Sequence, residues 1–74
     1  MNAQTGIGTI TPNNSAKLDV YSDNKGFLPP RVSLTGITDI STISSPATGL
    51  LVYCKGDAGL PAGYYYWNGS AWAT

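Results

Sequence analysis

Two segments of the chain alternate apolar and polar residues with the two-residue period of a strand. In AKLDVYS, residues 16–22, Leu18 and Val20 face one way and Lys17, Asp19 and Tyr21 the other, which predicts a short half-buried strand. In FLPPRVSL, residues 27–34, Val32 and Leu34 alternate with Arg31 and Ser33, so a strand is expected to begin there. A third segment, GLLVYC at 49–54, sets Leu50, Val52 and Cys54 on one face and Leu51 and Tyr53 on the other. Both of its faces are apolar, so both should be covered, and a neighbouring subunit is one source of that cover.

The intervening stretches are punctuated by Gly, Pro, Asn and Ser. TGIGTITPNNS, residues 5–15, reads as part of an extended N-terminal arm over residues 1–15, with Ile7 and Ile10 as its apolar contacts. Residues 16–74 then form one small β-rich module. SDNKG is a turn in which Gly26 is free to take positive φ. Pro29 and Pro30 cannot donate to a ladder, so they belong to an edge or a polyproline-like stretch anchored by Phe27 and Leu28. A Pro-Pro ligand for an SH3-like partner would want PxxP spacing, which is absent. In LTGITDISTISSP, Leu34, Ile37, Ile40 and Ile43 fall three apart. A short 3₁₀ or α turn, a bent strand and an irregular fibre segment all fit that spacing. Thr, Ser and Ile are poor helix formers and Pro46 ends any helix, so the expectation is one short helical turn near residues 37–43. KGDAGLPAG is a flexible connection.

YYYWNGSAW, residues 64–72, holds five of the chain's eight aromatic residues. Asn68-Gly69 between β-formers is a strong hairpin signal. A two-residue turn there places Trp67 opposite Ser70, Tyr66 opposite Ala71 and Tyr65 opposite Trp72. Tyr65, Trp67 and Trp72 then share one face, and Tyr64 and Tyr66 lie over alanines on the other. Strand 49–54 pairs with 64–67, which completes a three-stranded meander.

Charge narrows the functional classes. Four basic and four acidic residues cancel, all four acids are Asp, and no basic patch is visible, so nucleic-acid binding is not expected. No run of apolar residues reaches membrane-spanning length. Low charge with high Ser, Thr, Asn and Gly content fits an extracellular surface. Met1 reads as an added start, and Asn2-Ala3-Gln4 as a remnant near a removed signal peptide.

Candidate chemistry is sparse. With no His and no Glu, general acid–base catalysis and the common zinc sites lack their usual residues, and neither catalytic residue, metal nor cofactor is expected. Cys54 lies in an apolar strand and reads as a buried small side chain; a reactive or interchain thiol is the alternative. Asp19 and Asp23 read as solvated carboxylates rather than an acid–base pair or a calcium site. Gly6-Ile7-Gly8 lacks the third glycine of a dinucleotide fingerprint, and Lys25-Gly26 lacks the rest of a P-loop. Asn13-Asn14-Ser15 and Asn68-Gly69-Ser70 match the glycosylation sequon, although turn geometry already accounts for Asn68. One cysteine cannot form an intrachain disulfide, so oligomerisation, or membership of a longer fold of which this is a fragment, is the remaining way to stabilise so small a core. A compact monomer of 7.7 kDa would expose roughly 4,300 Å².

The aromatic cluster supports two readings. Tyr65, Trp67 and Trp72, with Leu50, Leu51, Val52 and Tyr53, form the core or an oligomer interface. Alternatively, Tyr64 and Tyr66 present a stacking platform for a cell-surface glycan, which would make the chain a small monomeric glycan-binding module.

Four stretches in order, GIGTITPNNSAKLDV, NKGFLPPRVSLT, SPATGLLVY and YYYWNGSAW, resemble a module that recurs in bacteriophage tail fibres and secreted bacterial surface proteins. Its pattern is GIGT-x-x-P, an ALDV-like strand, KGFL-PR, a variable Ile/Thr stretch, PATGL-hydrophobic-Y and Y-x-NG-x-W. The likeness runs from Thr5 to Trp72, and the variable stretch is shorter here than usual. It implies a mainly β fold, a small meander module with an extended arm, intertwined in an elongated homotrimer. The implied role is structural and attachment-related, in a phage tail or secreted appendage, without catalysis. The end at Thr74 just after the aromatic hairpin reads as a fragment of a longer protein.

Overall fold

A computed structural model describes residues 4–74; Met1–Ala3, which begin the expected arm and carry part of the signal-peptide reading, lie outside the described residues. Among the described residues, six short strands form two separate sheets. β1 (Thr5–Ile7) and β2 (Leu18–Val20) make a parallel pair. β3 (Arg31–Val32), β4 (Leu51–Cys54), β5 (Gly63–Trp67) and β6 (Trp72–Ala73) make a four-stranded sheet in the order β3-β4-β5-β6. Among the described residues there is no helix, as the mainly β reading implies.

The expected meander is present as β4-β5-β6, with all neighbours antiparallel. β3 adds to its edge in parallel, aligning Arg31 with Tyr53 and Val32 with Cys54. Pro30 fits this edge because it needs only its carbonyl, which accepts from the Tyr53 amide at 3.0 Å. Leu50, Val52 and Cys54 alternate toward one face and meet Tyr65, Trp67 and Trp72 there, with Leu34 and Leu60 packed against them. Leu34, Val52 and Cys54 are the most completely buried side chains. Tyr65 keeps its hydroxyl satisfied inside this cluster by donating to the Pro61 carbonyl at 2.8 Å.

The hairpin register differs from the sequence expectation by two residues. Trp67 pairs with Trp72, and Tyr66 with Ala73. The turn is not two residues but four, 68–71. The Asn68 side-chain oxygen accepts from the amides of Ser70 (2.8 Å) and Ala71 (2.9 Å), and the Asn68 amide donates to the Ala71 carbonyl. An Asx turn has displaced the tight primed turn. A shift of two residues preserves the side-chain alternation, so the aromatic residues keep their expected faces. The expected Tyr65–Trp72 pair becomes a Trp67–Trp72 edge-to-face pair, with ring centroids 5.2 Å apart at 65°. Such a pair contributes about 0.5–1.5 kcal/mol beyond its burial.

The expected helical turn at 37–43 does not form; that segment is a series of turns. Asp39 explains why. Its carboxylate accepts from the amides of Thr35 (3.0 Å), Ser41 (2.8 Å) and Thr42 (3.0 Å) and from the Thr42 hydroxyl at 2.6 Å. Local side-chain bonds of this kind offer the amides an alternative to a helical ladder. The Asp39 carbonyl in turn accepts from Trp72 Nε1 at 2.7 Å, and the Ile37 carbonyl from the Trp72 amide at 2.7 Å. The loop is thereby pinned to Trp72 of the edge strand β6.

In the N-terminal part, apolar residues are left uncovered. Leu18 and Val20, expected to be half-buried, are exposed, as are Ile7 and Ile10. Phe27 and Leu28, expected to anchor the Pro-Pro stretch, are exposed as well, and Pro29 beside them is buried. Gly26 does not take positive φ. Its turn is organised by Ser22, whose hydroxyl accepts from the Lys25 amide at 3.0 Å.

Candidate self-association surface

The strand register defines two uncovered apolar faces. The outer face of the larger sheet carries Leu51, Tyr53, Tyr64 and Tyr66, with Arg31 beside Tyr53. Tyr53 and Tyr64 are cross-strand partners and stack edge-to-face, centroids 5.0 Å apart at 71°. Tyr64 is 51% and Tyr66 41% exposed, and Leu51 is exposed beside them. Both faces of β4 were expected to be covered; within one chain only the Val52/Cys54 face is.

The second face belongs to the β1–β2 pair. The register places Thr5 beside Leu18 and Ile7 beside Val20, so Ile7, Leu18 and Val20 share one face. Gly6 and Asp19 are register partners on the opposite face. That opposite face is covered by the chain's own loop. A Cβ on Gly6 would stand 2.7 Å from Pro12 Cγ and 2.7 Å from the Thr9 carbonyl oxygen. Asp19 accepts from the Asn13 amide at 2.7 Å, and Asn13 Oδ1 accepts from the Ser15 amide at 2.9 Å and the Ser15 hydroxyl at 2.7 Å. Gly8, at φ 78°, lies against the Tyr21 carbonyl, and the Tyr21 amide donates to Ile7 at 2.8 Å. The GIGT-x-x-P stretch is thus a compact clasp in which Gly6 leaves room for Pro12.

The residues singled out in the sequence divide between these places. Val52, Tyr65, Trp67 and Trp72 lie in the chain's own core with Leu50 packed on it, whereas Leu51 and Tyr53 share the outer face with Tyr64 and Tyr66. Cys54 is buried and unpaired, its thiol facing the Leu60 carbonyl at 3.5 Å. Asp19 and Asp23 are separately engaged, Asp23 by the Tyr21 hydroxyl at 2.6 Å, which pushes the Tyr21 hydroxyl's pKa up. The bonds from Thr42, Thr35 and Ser41 hold Asp39 well below the usual carboxylate range, and a bond from Ser33 lowers Asp57. Among the described residues, no three metal-ligating side chains gather. Both sequon asparagines spend their side-chain oxygens on Asx turns. Sequence reasoning missed the structural role of Asp39 and the pairing of residues 5–7 with 18–20. An Asp among Thr and Ser was the signal for the first; three residues are too few to reveal the second by alternation.

The described residues thus make a small β module with two uncovered apolar faces and a strand pair that stands apart from the larger sheet. The chain belongs to the phage tail like trimerisation region family, whose model matches residues 6–74. No curated protein and no solved structure matches it.

Proposed function

We propose that the chain is a non-catalytic structural segment of a homotrimeric extracellular fibre, in a phage tail or a secreted appendage of similar build. Family membership supports the trimeric, tail-like character. The carrying observation is surface. The single chain exposes 5299 Å², about 1,000 Å² more than a compact monomer of its mass. A typical partner contributes about 800 Å² to a stable interface. The excess is thus of the size that association removes. Thermal unfolding over a hundredfold range of protein concentration tests the reading. The midpoint rises with concentration if folding is coupled to assembly; a constant midpoint for a monodisperse monomer contradicts it.

A second role, attachment, is favoured by the exposure of Tyr64 and Tyr66 on one face of the larger sheet. Tyrosines there offer stacking surfaces and wet hydroxyls to a host glycan. On a glycan array, loss of binding in Tyr64→Ala and Tyr66→Ala with the assembly intact supports that role. Unchanged binding, or no binding by the parent chain, removes it.

A further inference from the structure

The trimeric reading requires a contact surface, and the two apolar faces are rival candidates for it. We propose that the Ile7/Leu18/Val20 face of the β1–β2 pair is the hydrophobic core of the assembly, closed by the same face of the other copies, while the tyrosine face stays outward. This rests on the trimeric reading and names its surface.

Four observations choose between the faces. First, a two-stranded sheet without cover is marginal at best in water. Here the pair touches no strand of the larger sheet, and its own loop covers the Gly6/Asp19 side. The side left open is the one that gains from cover. Second, Ile7, Leu18 and Val20 are 57%, 51% and 45% exposed and carry no polar side-chain atom, so burying them desolvates nothing costly. The tyrosines carry hydroxyls that favour a half-wet position. Third, charge discriminates. Round a three-fold axis each residue near the axis meets its own copies. The β1–β2 face holds only Thr5, Ile7, Leu18 and Val20, whereas the tyrosine face would bring Arg31 toward Arg31. Fourth, among the described residues, seven of the twelve large hydrophobic side chains left exposed lie between Ile7 and Leu28, and the buried apolar cluster contains none from that segment. The described part of the N-terminal third therefore lacks a core of its own, and a second copy is the partner whose uncharged apolar face matches it.

The double variant Leu18→Ser/Val20→Ser tests this by sedimentation, with near-ultraviolet circular dichroism of the Trp67–Trp72 pair reporting on the larger sheet. The expected result is a monomer that retains the tryptophan signal. Cysteine scanning keeps the proposal open to refutation if that variant does not fold. Under mild diamide oxidation at micromolar concentration, Val20→Cys should form disulfide-linked chains on a non-reducing gel, and Tyr66→Cys should not. A double variant that still sediments as a trimer, or linking through Tyr66→Cys and not Val20→Cys, overturns the assignment of this face and leaves the trimeric reading standing. A parent chain that is itself monomeric overturns the trimeric reading directly.

Discussion

At the residue scale, a few side chains determine the local structure. Asp39 sits among Thr and Ser, where the three-residue spacing of Ile37, Ile40 and Ile43 points to a helical turn. It instead anchors four donors and holds the loop that Trp72 binds. Its folded pKa is depressed, so its contribution is fully present above the unfolded value of about 4 and is lost as pH falls below that value toward the folded one. Asp39→Asn should lower stability at pH 7 and flatten the acid side of the stability–pH curve, measured by urea unfolding at a series of pH values. A parallel downward shift with the acid slope unchanged would contradict this. Gly8 illustrates the opposite kind of constraint. Its positive φ and its closeness to the Tyr21 carbonyl were invisible in a stretch that could be read only as an extended arm. Gly8→Ala should cost at least about 1–3 kcal/mol locally, seen as loss of amide-exchange protection at Thr5 and Tyr21 with the larger sheet unaffected.

At the scale of elements, what was legible was alternation, and what was not was register and non-local pairing. The period-2 pattern of residues 50–54 and the split of the aromatics onto two faces both appear in the structure. The hairpin register did not, because Asn68-Gly69 also suits an Asx turn closing on Ala71, and local sequence does not decide between the two. Asn68→Ala removes both side-chain bonds, at a net cost near 1 kcal/mol each, and should lower the unfolding free energy by about 1–2 kcal/mol without changing the near-ultraviolet spectrum. The parallel β3–β4 pairing was missed for a related reason: its partners are brought together by a long coil rather than by a turn motif. Leu34, at the end of the expected strand, leaves the ladder and packs under the sheet. Leu34→Ala should cost about 2–5 kcal/mol, as for a fully buried leucine that leaves a cavity, measured by denaturant unfolding.

At the scale of the molecule, the chain is more open than its length requires. Its radius of gyration is 15.0 Å, against about 11 Å for a compact domain of 74 residues. The extents of 41 × 28 × 17 Å describe an elongated body whose N-terminal third exposes apolar residues that a globular monomer would cover. Composition could say that so small a core, with one cysteine, wants partners; it could not say where. The location follows from register, which sets Ile7, Leu18 and Val20 on the open side of a strand pair whose own loop covers the other. Sedimentation velocity of the 74-residue chain at micromolar concentration decides whether it assembles. A single species of about three times 7.7 kDa is expected, consistent with the trimerisation family to which the chain belongs. A stable, folded species of 7.7 kDa across the concentration range would contradict it.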